Sequence, residues 1–472
     1  MSIHGQWSSK LLFIFAATGS AVGLGNIWKF PWMTAESGGG AFVLIYVASV
    51  LFLALPIMCA EILIGKRGKQ NPVNSLRTLS SEASYYYQKE SSILLNRTTK
   101  VKKQFDNNDI FSNWELVGWM GILAGILILS FYSVIAGWTL SYIIKSISGS
   151  FYLITAAGAS AKFESFIADP EKLVLWHTIF MILTCYIVSK GIKSGIEKAI
   201  KFLIPGLFII LIGLAFYAST LTGFSDAMNY FFIANFDKVN SSVILSAMSM
   251  AFFSLSIGMG SLMIYGSYLS DDTSVFQVST AVAISDTLVA ILAGIIIFPI
   301  VFTYNLDPST AGPGLIFQTL PIAFGAMNYG TFISTSFFIL LFFAAITSSI
   351  SLIEPAITFV VERFSISRLY ATNILGVLTW AVGIFTVLSF NYLSSFTIFG
   401  MTIFDNIDYL TSKIMLPLGG LLMALFVGYV MKKSIVIDEL KGNASLIYIW
   451  FGIIKILSPV LLIIIFIQGI IS

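Results

Sequence analysis

Charge is what this 472-residue sequence has least of: 10% of its residues are Asp, Glu, Lys or Arg, against 57% hydrophobic and 15% aromatic. A soluble globular chain carries about 25% charge, so the composition argues against a water-soluble enzyme. The net charge of +3 is small and dispersed, and no basic helix is interleaved with aromatics, so no nucleic-acid partner is expected. Histidine and cysteine are scarce too, at two each. His4 and His177 form no HExxH motif and no catalytic aspartates are paired, which leaves an intramembrane enzyme without support. Cys59 and Cys185 sit singly in apolar runs, outside any CxxC or Cys/His cluster, and read as core residues. The opening MSIHGQWSSK lacks a charged n-region and a small-residue cleavage site, so no cleaved signal peptide is expected.

What is present is apolar sequence in bilayer-spanning lengths, about 20 residues as helix. Eleven segments stand out: roughly 11–31, 40–64, 115–145, 173–189, 199–222, 242–268, 274–303, 331–361, 369–390, 396–430 and 445–471. An odd count puts the chain ends on opposite sides. With the N-terminus cytoplasmic, the inner loops hold Lys66, Arg67, Lys69, Arg77, Lys89, Arg97, Lys100, Lys102, Lys103, Lys190, Lys193, Arg363, Arg368, Lys432, Lys433 and Lys441. The outer loops keep mainly Lys162, Lys172 and Lys238. The positive-inside rule therefore predicts a multi-pass protein of the cell (inner) membrane with an extracellular C-terminus. The polar stretch 66–113 contains Tyr85-Tyr86-Tyr87 and a basic run at Lys100 to Lys103. It reads as a long, solvated cytoplasmic loop with one surface helix at most, the alternative being a regulatory or anionic-lipid contact. No separate soluble domain is expected in 1–472.

Two segments are interrupted. Segment 1 contains Gly19-Ser20-Ala21-Val22-Gly23-Leu24-Gly25-Asn26, and segment 6 contains Ser254-Leu255-Ser256-Ile257-Gly258-Met259-Gly260. Each glycine lowers helix propensity by about 1 kcal/mol, and broken backbone at membrane depth survives only inside protein or along a polar cavity. Close small-residue packing would explain either segment alone. As a pair five spans apart they predict an inverted five-helix repeat, about 7–222 and 242–430, with 445–471 as an extra C-terminal helix. Such repeats place a transport site at the midplane.

The stretch Gly19 to Pro31 (GSAVGLGNIWKFP), with Glu36 to Phe42 (ESGGGAF), Trp138-Thr139, Ser254 to Gly260 and Phe343 to Ser349 (FAAITSS), resembles the neurotransmitter:sodium symporter family. The likeness is to its bacterial amino-acid branch, which includes the leucine and multi-hydrophobic amino-acid transporters, and runs from Trp7 to Val430. Paired broken helices are a defining example of that fold, so the repeat pattern lends the resemblance no independent weight. The resemblance implies an all-α polytopic membrane protein of 11 transmembrane helices, with an inverted five-helix repeat and broken helices 1 and 6. It implies a sodium-coupled symporter importing an L-amino acid by alternating access. A carrier of a small amine or another amino acid, a proton-coupled relative and a non-transporting amino-acid sensor remain as alternatives.

By the same resemblance, one sodium is held by the carbonyls of Gly19, Val22 and Ala344 and the hydroxyls of Thr347 and Ser348, hard oxygens suited to a hard cation. A second sodium falls to Ala21, Asn26, Ser254 and Asp286, completed by the substrate carboxylate. Asp286 is the one charge in segment 7, where an acid costs roughly 2.5 to 3.5 kcal/mol. The positions matching the family's chloride site read Tyr46, Met250, Ser254 and Ala290, so chloride-independent transport is expected, with Asp286 supplying the negative charge. Ser20 stands where amine carriers have Asp, which favours a substrate that brings its own carboxylate. Tyr132 matches the tyrosine that binds that group. Ser20, Ala21, Gly25 and Ser254 join the substrate site, and Ile128, Phe253, Ser256, Met259, Ser348 and Leu352 line its side-chain end, whose apolar walls imply an apolar substrate. Met259 between Gly258 and Gly260 resembles members that accept aromatic and large aliphatic residues; plain core filling is the alternative.

Lys29 and Asp408 match the extracellular gate pair with Phe253 beneath, Lys giving a point charge where many members have an Arg fork. Gly195 and Pro205 match a motif at which segment 5 unwinds, and Glu61 matches an acid that braces segment 6. Oligomeric state is not readable. Glu362 matches the inner-gate acid, and its basic partner falls at His4, which is neutral near pH 7. Inward opening is therefore expected to be pH-sensitive, and identical transport kinetics at about pH 6 and pH 8 would count against that.

Overall fold

The computed structural model describes residues 5–94, 112–307 and 313–471. Each of the eleven apolar segments is helical there. Nine helices among the described residues are long and apolar enough to cross a bilayer, and Lys10–Ala21 with Gly25–Glu36 makes a tenth crossing bent by 56°. Segment 6 is split into two shorter helices, Ser241–Ser254 and Ser261–Ser267. The described residues contain no strand, only an isolated bridge between Ile398 and Met401.

Local chemistry sets the helix ends. Ser9 accepts the Leu12 N–H, Asn240 the Val243 N–H and Ser274 the Gln277 N–H, each satisfying a donor that the first turn leaves free. Segment 6 breaks where Gly258 and Gly260 take φ of +92° and +72°, values at which a side chain is disfavoured. Ser256 is also left-handed, at φ +53°, and its hydroxyl donates to the Ser20 carbonyl at 2.8 Å. The two breaks are thereby tied to each other. Glu61 on segment 2 accepts the Gly258 N–H at 2.9 Å, the bracing role expected of it.

Segments 3 and 8, Glu115–Ile147 and Gly330–Phe364, are the most enclosed spans, 72% and 78% buried. Segments 4, 5 and 11 are only 33% buried and turn residues such as Phe202, Ile209 and Phe216 outward, as a lipid-facing surface requires. Segment 5 is continuous over Ile192–Ala218, with a wide turn at Ile192–Ile196 around Gly195 and Pro205 inside the helix, so the unwinding motif is wound in this conformation.

The polar stretch 66–113 holds the one helix allowed for it, docked against the core rather than solvated. Pro72–Leu94 is a 23-residue helix that buries Val73, Leu76, Leu79 and Ala83. Three- and four-residue spacing puts those four side chains on one stripe, too narrow to raise the stretch above its polar background. The Lys100 to Lys103 run lies outside the described residues.

On the side where segments 2 and 8 end, the chain is bolted shut. Trp7 is buried, donating its Nε1–H to the Tyr265 carbonyl at 3.0 Å and its N–H to the Tyr268 carbonyl at 3.1 Å. Ser8 donates its N–H and hydroxyl to Glu197 at 2.7 and 2.8 Å. Glu354, fully buried on segment 8, pairs with Arg368 at the start of segment 9 and accepts the Tyr268 hydroxyl at 2.9 Å. Arg368 also donates to the Val188 carbonyl at 2.8 Å. Glu362 accepts from the Asn71 backbone at 3.0 Å and from the side-chain amides of Asn71 and Asn74. These contacts tie the expected inner-gate acid to the amides that open the docked helix; His4 lies outside the described residues.

Removing one partner of a buried ion pair leaves the other charge uncompensated, at a cost of about 3–5 kcal/mol. Arg368→Gln is expected to lower thermal stability sharply, and Glu354→Gln combined with it to restore most of the loss. Unfolding temperatures of the three proteins in one detergent test this, and a double variant no better than Arg368→Gln would refute the pairing.

Candidate functional site

The breaks in segments 1 and 6 lie against segments 7 and 8, and two oxygen-rich clusters form there. In the first, the Ser348 hydroxyl lies 3.2 Å from the Gly19 carbonyl, 3.0 Å from that of Val22 and 3.1 Å from that of Ala344. Thr347 adds its hydroxyl 3.1 Å from the same Ala344 carbonyl. Helix-to-extended geometry at Val22 (ψ 108°) is what turns the segment 1 carbonyls away from their helical partners. Three carbonyls and two hydroxyls around one point suit a hard monovalent cation. All five residues expected for that site are brought together.

The second cluster centres on Asp286, fully buried midway along Val275–Thr303. Its carboxylate accepts the Asn26 amide at 2.7 Å, the Ser254 hydroxyl at 3.0 Å and the Tyr46 hydroxyl at 3.5 Å. Tyr46 and Ser254 are 3.1 Å apart, and Asn26 uses its carbonyl oxygen to accept the Gly23 N–H at 3.1 Å. No Lys or Arg forms an ion pair with Asp286 among the described residues. A charge held by neutral donors alone keeps its field for something else. Ala21 closes the first half-helix beside this cluster.

Between the clusters lies a ring of small polar groups. Ser20 donates its hydroxyl to Ser351 at 2.8 Å while its carbonyl receives Ser256. The Tyr132 hydroxyl accepts the Leu24 N–H at 3.2 Å, and a β-carbon at Gly23 would come within 3.0 Å of both Tyr132 Oη and Ser348 Oγ. A side chain at that point would press on both hydroxyls. Gly25 abuts the Phe253 ring. Ile128, Met259 and Leu352 are buried, with the Met259 and Leu352 backbones packed on Gly121 and Gly125 of segment 3.

Outside this ring a cavity of about 260 Å³ is lined by Lys29, Ser246, Phe253, Lys413 and Gln468. Here the structure departs from expectation. Lys29 makes no ion pair with Asp408; its ammonium stands 4.4 Å from the Phe253 ring centre, and Asp408 accepts the Ser412 hydroxyl at 2.8 Å. The face of an aromatic ring is a competent alternative partner for a lysine, so the expected latch stands open.

Three participants escaped sequence reasoning. Ser351 sits one turn beyond Ser348 and gave no signal apart from a serine-rich run. Tyr46, read only as the counterpart of a chloride ligand, is a donor to Asp286. Glu354 carried a usable signal, being an acid in an apolar run just before Pro355, and the insertion-cost rule that singled out Asp286 applies to it equally.

Known proteins resemble this chain over nearly its whole length. The model of the sodium:neurotransmitter symporter family matches residues 4–84 and 151–472. An uncharacterized sodium-dependent transporter of Bacillus subtilis, YhdH, is 33% identical over 473 residues, covering 99% of this chain and 98% of its own. A sodium-dependent transporter of Methanocaldococcus jannaschii is 31% identical over 438 residues, covering 88% of this chain and 80% of its own. Among solved structures, the crystal structure of MhsT in complex with L-phenylalanine superposes with a TM-score of 0.84 at 39% identity, covering 98% of this chain and 99% of that one.

Deleting the Asp286 carboxylate strands the Asn26, Ser254 and Tyr46 donors in a buried site, at about 1–3 kcal/mol for an unsatisfied group. Asp286→Ala is expected to unfold at lower temperature than Asp286→Asn, whose side-chain oxygen can still accept. Thermal unfolding in sodium-free buffer measures this, and equal temperatures for the two variants would contradict the network.

Proposed function

The chain belongs to the sodium:neurotransmitter symporter family, and on that premise we propose that it imports a hydrophobic L-amino acid, aromatic or large aliphatic, with two sodium ions. It is a sodium-dependent, multi-pass membrane transporter, and its family are transporters rather than enzymes. The observation that carries the finer reading is the Ser348 hydroxyl meeting carbonyls from the broken segment 1 and from segment 8 at one point. A cation seated there links a part that can move to a part that can stay.

The amino acid follows from chemistry at the break. Ser20 is neutral and engaged with Ser351, so its position offers no carboxylate to an amine-only substrate. Tyr132 and the freed Leu24 N–H lie where a substrate carboxylate would find donors, and that carboxylate would complete the Asn26, Ser254 and Asp286 site. Sharing one ligand between ion and substrate makes each bind better in the presence of the other. L-phenylalanine bound to MhsT supports an apolar side chain at the far end.

Chloride independence rests on Asp286. Tyr46 and Ser254, two of the four positions matched to the chloride site, donate to the Asp286 carboxylate here, and Met250 and Ala290, the other two, are buried apolar residues that bring no anion donor. A resident carboxylate thus takes the place of an exchangeable anion.

In the proposed orientation the N-terminus is cytoplasmic. The Trp7, Ser8–Glu197 and Glu354–Arg368 contacts then close the inside while Lys29 and Asp408 stand apart on the outside. With a tenfold sodium gradient and about 100 mV, each ion supplies roughly 1.4 plus 2.3 kcal/mol, and two support about a 10⁵-fold substrate ratio.

Purified protein screened against the twenty amino acids in sodium and in potassium is expected to be stabilised by tryptophan, tyrosine, phenylalanine or leucine, and only in sodium. Counterflow of the same amino acid in liposomes, unchanged when gluconate replaces chloride, is expected to follow. Stabilisation that ignores sodium would sink the ion assignments, stabilisation by amines alone the substrate class, and a several-fold loss in gluconate the role of Asp286.

A further inference from the structure

Where segment 4 turns into segment 5, on the side of the bolted contacts, the chain carries four exposed lysines: Lys190, Lys193, Lys198 and Lys201. None of them forms an ion pair among the described residues. The one acid between Lys172 and Asp226 is Glu197, which is buried and bound to Ser8. We propose that this junction binds the phosphate headgroup of an anionic membrane phospholipid.

The junction is tightly folded, which fixes where the lysines stand. Gly191 takes φ of +82°, and a β-carbon on Gly195 would lie 2.1 Å from the Ile187 carbonyl oxygen, so the wide turn Ile192–Ile196 sits directly against the end of segment 4. Arg368 secures the same end through the Val188 carbonyl, its own charge met by Glu354. Two of the lysines converge on one side chain. Lys190 donates to the Tyr186 hydroxyl and its ammonium lies 3.8 Å from that ring's centre, while Lys198 acts electrostatically on the same hydroxyl. A neutral phenol holds an ammonium in place yet supplies no anion, so the positive charge stays available to a phosphate, for which lysine is a point-charge partner.

Depth points to lipid. Segment 4 is the 20-residue helix Pro170–Ser189, and Lys190 follows its last residue. A bilayer core takes about 20 helical residues, and counted back from the end of segment 5 at Ala218 they begin just past Lys198. Lys190 and Lys198 therefore sit at one edge of the apolar slab, as their shared tyrosine requires. Lys201, the one charge in 199–218, is exposed and close enough to that edge to extend its ammonium back to it. The exposed apolar residues all lie on the slab side of these lysines. On segment 5, Phe202, Ile209 and Phe216 are 69%, 71% and 75% exposed at seven-residue spacing, and Lys198, four residues before Phe202, heads the same face. On segment 4, exposed Leu175, Ile182 and Tyr186 form a matching face that ends at Lys190. A headgroup at the lysines would thus leave its acyl chains along two lipid-facing stripes, contacts that a free phosphate cannot make. In the proposed orientation this is the cytoplasmic leaflet. The inference needs only the membrane setting and is independent of the substrate.

Native mass spectrometry of the purified full-length protein, titrated with phosphatidylglycerol or with phosphatidylcholine of identical chains, tests it. The first phosphatidylglycerol adduct is expected to form at a several-fold lower lipid concentration than the first phosphatidylcholine adduct. That advantage is expected to shrink several-fold in Lys190→Gln/Lys198→Gln and to persist in Lys190→Arg/Lys198→Arg. Single Lys198→Gln, at an exposed position, carries the test if the double variant does not fold, with a partial loss expected. Lys162→Gln/Lys172→Gln removes the same charge on the opposite side and is expected to keep the full advantage. Equal adducts on the unmodified protein, an undiminished advantage in the Gln variants of the junction, or an equal loss in the opposite-side variant would overturn the site. Displacement of phosphatidylglycerol by millimolar inorganic phosphate would show a free-phosphate site and overturn the lipid assignment.

Discussion

Within an apolar slab every backbone N–H and C=O must find a partner, and the structure is organised around the two places where helix geometry fails to provide one. After Ala21 and after Ser254 the chain leaves the helix, and the freed groups turn to Ser348, Tyr132, Ser256 and Glu61. Ser348, Tyr132 and Glu61 come from three other segments, and Ser256 ties the two breaks to each other. The interruption thus recruits the surrounding helices into one polar core, and the residues that could hold ions and substrate are the same ones that satisfy the broken backbone.

Three buried carboxylates illustrate how differently one chemical group can be used. Glu354 is balanced by Arg368, a full opposite charge, and its place is in the closure of one face. Glu61 faces the Gly258 N–H and so braces the bend of segment 6. Asp286 receives only neutral donors. Its charge is solvated but not cancelled, which is the arrangement expected beside a site that takes up a cation from outside.

The glycine pieces made the fold legible in the sequence, because a glycine interruption in an apolar run has few physical explanations and two matched interruptions have fewer. The proposed ion-site residues came from the family resemblance, and Asp286, Ala344, Thr347 and Ser348 lie outside the glycine stretches, in segments 7 and 8. Other features were opaque for physical reasons. The docked helix after Pro72 buries a stripe of small and medium apolar residues too thin to register against its polar neighbours. The standing of Lys29 over Phe253, with Asp408 turned to Ser412, depends on tertiary packing that no local pattern encodes. The Glu354–Arg368 pair joins two segments whose charges look like a stray intramembrane acid and an ordinary loop basic residue until the fold brings them together.

Asp286 has an electrical consequence for the proposed cycle. Because this charge belongs to the protein, it stays with the carrier on both halves of the journey. In the proposed cycle two sodium ions and a zwitterion against an ionised Asp286 would make the loaded site a net +1, and an empty site that kept that carboxylate ionised a net −1. An inside-negative membrane then pulls the loaded carrier inward and pushes the empty one outward. Under that charge balance voltage would act on both strokes of the proposed cycle, and potential alone would hasten the slower of the two.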